Sequence, residues 1–445
     1  MPARPRRRLT RGLLAGSVAG ALALTAAACS SGSSGSSGSA SGTIKIITWD
    51  NPPAVNAIKS IDTAFHKKYP NITVNLQTAA NINGPYQTML ETDVDGSSAD
   101  IVSWYPPAQP LPYKPTRSNM TTWQFWTTHN VFEPLNGQSW LNDYTSTARS
   151  AETYNGKTYG VVTGDYQEGV FYNKTTFARY HLTPPTTYSQ FVTELNTLKS
   201  KKVTPLFVGL GNVGPIYLQF LYNPLIASVW NTHVSGGNLA LALGNGSEKW
   251  TNQYFTTAMN EEKTLASYLE PNYTGVPWES MPGDFAKGDS AMLIDGSWDL
   301  PLIQQANPSI KVGFFPLPGS NTPADNQAWN QANLTFSVLK NAPNKAAALK
   351  WMQFFSSSKE YESYVNATGI SPSQSGGTYN SFAATAMGSW FGKGVNGAQA
   401  YPILSSNDGY WDQLANWPTL QLDVIQGSKT PQQVESLYQN AWKVP

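Results

Sequence analysis

Cysteine is almost missing from this 445-residue chain: Cys29 stands alone, which excludes an internal disulfide. The only four histidines, His66, His129, His181 and His233, are scattered without paired ligand spacing, so neither a bare metal site nor a cofactor is expected. Charge is sparse, at 13% of residues. The formal +1 falls near −4 once Arg4, Arg6, Arg7, Arg8 and Arg11 are set aside, and no basic stripe follows them. That excludes nucleic acid as a partner. The apolar run at residues 13–24 is shorter than the roughly 20 residues a bilayer-spanning helix needs. Walker-type and G-x-S-x-G signatures are also lacking, which counts modestly against an enzyme.

What is present begins with an address. The arginines, the apolar run and Ala26-Ala27-Ala28 have the layout of a secretory signal over residues 1–28. Cys29 directly after those alanines resembles a lipobox, which implies lipidation and anchoring to the outer face of the cytoplasmic membrane. Arg7-Arg8 leaves both the general and the twin-arginine export routes open. Residues 29–42 are almost wholly Ser and Gly after the cysteine, a flexible tether. About 400 residues remain, a natural size for two domains.

Those residues alternate in period. Ile44, Ile46 and Ile47 mark a strand, and Val55, Ile58, Ile61 and Phe65 a helix. Ile72, Val74 and Leu76 mark a second strand, Tyr86, Met89, Leu90 and Val94 a second helix, and residues 100–104 a third strand. Such alternation predicts an α/β fold with parallel strands and crossover helices. Further strands are expected at 170–172, 203–208, 291–294, 312–315 and 334–339, with helices capped by Thr187 and Thr430. Residues 106–137, rich in Pro and Trp, read as surface loops.

The order of several motifs resembles the extracellular solute-binding proteins of sugar ABC importers, the maltose-binding-protein-like group. They are Ile46-Ile47-Thr48-Trp49, Ala99-Asp100-Ile101-Val102, Asn155-Gly156-Lys157-Thr158-Tyr159-Gly160 and Phe285-Ala286-Lys287-Gly288-Asp289. Gly296-Ser297-Trp298, Phe315-Pro316-Leu317-Pro318 and Gly369-Ile370-Ser371-Pro372 follow. The resemblance implies a two-lobed periplasmic-binding-protein-like fold, each lobe a mostly parallel sheet flanked by helices, with the ligand cleft between lobes. The expected lobes are 43–162 with 314–370, and 163–313 with 371–445. Chain crossings are expected near 161–164, near 313–316 and around Ile370. It further implies a monomer that captures a carbohydrate by closure and delivers it to the permease subunits of an ABC transporter, without chemistry.

A sugar presents apolar C–H faces ringed by hydroxyls, so its site needs flat aromatics together with side chains that bond hydroxyls. Fifteen tryptophans exceed what two cores need. Trp49, Asp50 and Trp104 end predicted strands, where α/β sheets bind ligands. Gly296 and Trp298 match the group's Gly-x-Trp, with Asp295 just before. Asp165, Tyr166 and Glu168 lie where the chain enters the second lobe, and Trp230, Trp278, Trp329 and Trp411 are loop candidates. Trp351 and Trp442 sit on apolar helix faces and are expected in cores. Two alternatives stay open: a receptor for a peptide or polyamine, and an exported glycoside hydrolase using a pair of carboxylates.

Overall fold

The computed structural model describes residues 40–80, 84–104, 122–211, 214–230, 233, 239–244, 246–396 and 417–441. The expectations at Cys29, Trp411 and Trp442 lie outside these residues.

The opening segment folds as its periodicity dictates. β1 (Gly42–Trp49) buries Ile44, Ile46 and Ile47 completely. The helix Pro52–Lys68 starts on Asn51, whose side chain accepts from the Ala54 amide at 3.1 Å, with proline in the first turn. It turns Val55, Ile58, Ile61 and Phe65 inward and ends on His66, Lys67 and Lys68, which favour the negative end of the helix dipole. β2 (Ile72–Ala79), the helix Pro85–Gly96 and β3 (Ile101–Trp104) follow. A small hairpin, β4 (Thr153–Tyr154) and β5 (Lys157–Thr158), precedes β6 (Val161–Val162) and the long β7 (Asp165–Asn173). The remaining strands are β8 (Leu206–Phe207), β9 (Met292–Gly296), β10 (Val312–Phe315), β11 (Trp329–Ala332), β12 (Thr335–Val338) and β13 (Val395–Asn396).

Two larger sheets result. The first has the order β2-β1-β3-β12-β6, and only β12 runs against the others. The second has the order β13-β11-β7-β9-β8, with β10 also on β7 beyond the end of β11. There β7 alone is reversed. Each sheet is thus mostly parallel in direction with one strand inverted. The first packs on one large core that includes Phe65, Tyr86, Phe336, Trp351 and Phe355. Trp351 is fully buried, as its helix face predicts, and its indole donates to Asp62 at 2.7 Å. The second sheet is covered on both faces, and its strands alternate accordingly. Val170 and Ile294 point to one core with Leu195 and Trp250, whereas Phe171 and Leu293 point to another with Phe285, Leu300 and Ile303. The last helix, Pro431–Ala441, packs Val434 and Tyr438 on the first of these cores. Thr430 and Gln433 cap each other there at 3.2 and 2.9 Å, the expected reciprocal box.

Three details differ from expectation. β10 lies wholly in the second sheet, so the return to the first sheet is not at 313/314 but at Asn333–Leu334, between β11 and β12. The short β11 was hidden by its lack of apolar alternation. Nor is the segment before residue 137 all surface loop. Thr122–Thr128 is helical, and Trp126, Phe132 and Leu135 are buried in the first core. This segment is held beside the end of β12 by Glu133 N to Val338 O at 2.9 Å and Lys340 N to Val131 O at 2.7 Å.

Candidate functional site

Three passages of chain meet where the two sheets adjoin. Thr163 donates through its amide (3.0 Å) and its hydroxyl (2.6 Å) to Leu334 O, and Asn333 N donates to Gly164 O at 2.7 Å. Asp165 and Ser371 exchange both backbone bonds, at 2.8 and 2.7 Å. The crossing is tight at Gly164, where a Cβ would meet Ile370 Cδ1 at 2.6 Å and would also press on Ser371 O. The Asp165 carboxyl bonds Asn330, and burial pushes it up to about 6. Its side chain is thus committed to the crossing.

At the edge of the first sheet nearest these passages, Trp49 and Trp104 end neighbouring parallel strands at matching heights, two residues past the Ile47–Val102 pairing. Both indoles are half-buried against the first core, and Asp50 beside Trp49 is exposed. On the second sheet the corresponding place is held by Trp298. It packs partly buried against the first core and also against the second-sheet core that holds Val170 and Trp250. Its ring meets Tyr166 edge-on at 4.8 Å and Phe220 at 5.5 Å, and its buried indole N–H has no acceptor. The row continues from Phe220 to Tyr217 at 4.8 Å and from Tyr217 to Trp278 at 5.3 Å. Gly296 explains its neighbour: a Cβ there would collide with the Trp298 ring, so the indole folds back over bare backbone.

Beneath this row lie three buried carboxyl groups. Glu168 on β7 and Asp295 on β9 sit on adjacent strands, offset by one residue in register, and Asp299 follows in the turn Ser297–Asp299. Asp295 Oδ1 accepts from the Gly296 amide at 2.8 Å. Burial raises Asp295 to about 6. It drives Asp299 well above the usual carboxylate range, with Asp295 adding repulsion. Glu168 bonds Asn223 and is likewise driven up by burial, then by Asp295. Neither Asp299 oxygen has a hydrogen-bond donor among the described residues. Among the described residues, no Lys, Arg or His acts on any of the three.

Of the expected residues, Tyr166, Glu168, Trp278, Asp295, Gly296 and Trp298 are thus brought together. Glu168 and Asp295 support the row rather than face solvent, being 2% and 0% exposed. Trp329 is a correction. At 1% exposure it fills a small core with Ala227 and Val395, because β11 turns it under the second sheet, and it offers no free face. Trp230 ends the helix Gln219–Trp230, and its side chain lies outside the described residues. Sequence reasoning missed Tyr217, Phe220 and Asn223. Their three-residue spacing was visible, but an apolar helix gives no hint of which side faces a cleft. A separate groove of about 410 Å³, lined among others by Tyr172, Lys174, Phe314 and Trp390, contains none of the expected residues. Among the described residues no group of three or more His, Cys, Asp or Glu could hold a metal ion, and no helix is long and apolar enough to cross a membrane.

Known proteins share this fold. The sequence pattern of the family described as "Bacterial extracellular solute-binding protein" matches residues 49–362. The multiple sugar-binding protein of Streptococcus mutans serotype c is 25% identical over 315 residues, 70% of each chain. The melibiose/raffinose/stachyose-binding protein MelE of Bacillus subtilis is 22% identical over 244 residues, 53% of this chain and 56% of MelE. Among solved structures, the solute-binding protein RafE in complex with raffinose superposes with a TM-score of 0.73 at 19% identity, covering 91% of this chain and all (100%) of RafE. A sugar transporter protein of Bacillus licheniformis in complex with stachyose gives 0.68 at 18%, covering 90% and 98%. The pattern spans well over half of the chain, the two-lobed fold is that of these structures, and the aromatic row lies where the two sheets adjoin: the chain belongs to the bacterial extracellular solute-binding protein family.

Proposed function

We propose that this protein captures a sugar or oligosaccharide between two lobes and passes it to the permease of an ABC importer, doing no chemistry itself. The observation that carries the reading is Trp298, an aromatic face packed on the cores of both sheets with an unused indole donor. A flat ring and a free N–H beside a crossing suit a ligand with C–H faces and hydroxyls. Relatives whose names specify raffinose, stachyose or other sugars support the same ligand class. Trp49 and Trp104 supply the facing wall from the first sheet. Strand membership supports lobes of 43–162 with 335–370, and 163–334 with 371–445. Cys29 carries a lipid that tethers the monomeric receptor to the membrane surface through the Ser/Gly tract.

The test is a thermal-shift and calorimetric screen of the Cys29→Ser form with raffinose, stachyose, chito-oligosaccharides, peptides and polyamines. A ligand at 100 times its Kd adds about 2.7 kcal/mol to the native state. A shift with one saccharide series, lost in Trp298→Ala, is expected. A shift with a peptide or polyamine and none with any saccharide overturns the ligand class. Detergent-phase partitioning of the wild type but not of Cys29→Ser tests the anchor.

A further inference from the structure

The chain enters its first sheet at a basic end, although without its leading arginines it is net negative. Gly42 N donates to Asn71 O at 2.9 Å and Gly42 pairs with Ile72, so the start of β1 lies beside the turn that follows the helix Pro52–Lys68. That helix finishes on His66, Lys67 and Lys68, all exposed. The helix Lys345–Phe355 reaches the same place, because the side chain of its cap residue Asn344 donates to Thr43 O at 2.9 Å. From it the Lys350 ammonium stands 4.7 Å from the centre of the Tyr69 ring. Lys68 Nζ lies 5.5 Å from Tyr69 and 5.4 Å from Phe354. The two half-buried rings meet edge-on at 6.3 Å and rest on Phe65. Two lysines thus lie along an aromatic pair at the surface, their stems on the rings and their charges toward water.

Nearby acids are few and engaged. Asp62 is the sole acid of β2 and these two helices, and it accepts the Trp351 indole at 2.7 Å. Glu133 pairs with Lys340 and Lys345, at 2.9 and 3.2 Å. Glu91, Asp93 and Asp95 belong to the helix Pro85–Gly96. With the order β2-β1-β3, right-handed crossovers put that helix on the opposite face of the sheet from Pro52–Lys68. Asp93 is moreover taken by Lys45 at 2.6 Å.

We propose that this end, formed by Lys67, Lys68, Tyr69, Lys350 and Phe354, docks the folded body on an anionic phospholipid surface. The place of the chain's entry selects that occupant. Ala40 packs on the first core, and the stretch from Cys29 to Ala40 spans at most roughly 40 Å fully extended. A lipid on Cys29 therefore keeps this end within that distance of the headgroups. Lysines draw anionic headgroups, and tyrosine suits the interface between headgroup and hydrocarbon. Such a contact is weak by itself. Anchoring makes it intramolecular, at an effective concentration in the millimolar range. The proposal rests on the Cys29 anchor only for this setting, since the affinity belongs to the folded body.

The experiment is co-sedimentation of residues 29–445 carrying Cys29→Ser, which has no anchor, with vesicles at low ionic strength. One set is phosphatidylcholine alone and the other contains an equal share of phosphatidylglycerol. Binding is expected only to the anionic vesicles, and it should weaken toward 0.15 M salt, where charges are screened over about 8 Å. Each lysine at such a surface contributes about fivefold in partitioning. Lys67→Ala, Lys68→Ala and Lys350→Ala together should therefore lower binding on the order of a hundredfold. Lys174→Ala, Lys201→Ala and Lys249→Ala remove the same charge from exposed positions elsewhere and should leave binding unchanged. If the first triple variant does not fold, Lys67→Glu decides alone, with a loss of about 25-fold expected. Absence of binding to the anionic vesicles overturns the proposal and leaves this end to an acidic protein partner. Equal binding to both vesicles, or equal losses in the two triple variants, also overturns it. Detergent-phase partitioning of the wild type tests the anchor separately, so either reading can fail while the other stands.

Discussion

Replacing Gly296 by Ala isolates the packing that shapes the site. The backbone there has φ −99° and ψ 159°, which alanine adopts without strain, so any penalty comes from the added methyl. That methyl would overlap the six-membered edge of the Trp298 ring. The ring is no flexible chain end, being held by Tyr166 and Phe220, and must swing away from both. Each such aromatic contact is worth about 0.5–1.5 kcal/mol, giving a loss of roughly 1–3 kcal/mol. The assay is a double-mutant cycle by thermal and urea melts on Gly296→Ala, Trp298→Ala and the pair. With the indole gone the methyl has room, so Gly296→Ala should cost almost nothing in the Trp298→Ala background. The coupling should be about 1–3 kcal/mol, well outside the ~0.5 kcal/mol expected of independent sites. Additive losses would refute the reasoning, since the glycine would then be needed for something other than the ring.

The buried Glu152, bonded to Thr335 at the first crossing and raised by burial to about 8, makes a signed prediction. Its folded value lies above the ordinary 4.5, so its stabilising protonated form is fully present below about 4.5 and lost as pH rises through about 8. Glu152→Gln should therefore flatten the fall in Tm between about pH 5 and about pH 8, and an unchanged slope would count against it. Trp329→Ala should lower stability by about 3–5 kcal/mol, as for a large buried aromatic, while Trp329→Phe leaves ligand affinity within about twofold. A selective affinity loss in Trp329→Phe would return that residue to the site. Gly164→Ala should force the passages at Ile370 and Ser371 apart, changing the ligand-free radius of gyration by X-ray scattering, and an identical scattering curve would show the crossing to be more compliant than its contacts suggest.

Much of the fold was legible because burial imposes period. Ile44, Ile46 and Ile47, the Val55 to Phe65 stripe and the Thr430 box announce their elements through local rules alone. Short strands paired by distant partners were not legible. β11, with the sequence Trp329-Asn330-Gln331-Ala332, has no alternation, because its place is decided by the backbone of β7 and not by its own side chains. The same limit applied to the site. Gly296 and Trp298 were readable as a spaced pair, whereas Tyr217, Phe220 and Asn223 join them only through tertiary packing. Trp329 misled because a tryptophan outside any evident periodic segment looks exposed until a partner strand covers it.

The inverted strands also govern the order in which the protein can be completed. β7 lacks its partners β9, β10 and β11 until residues 292–332 have been made, and the first sheet waits for β12 at 335–338 to slot between β3 and β6. Pairings separated by well over a hundred residues are slow to find. A growing chain is thus left with open sheet edges on both halves until three-quarters of it exists. Fragments cut at the crossings would not each hold a whole sheet: residues 43–162 would lack β12 from the interior of the first, and residues 163–334 would lack β13 from the edge of the second, so the first half in particular is no module that could be expressed, swapped or inherited alone.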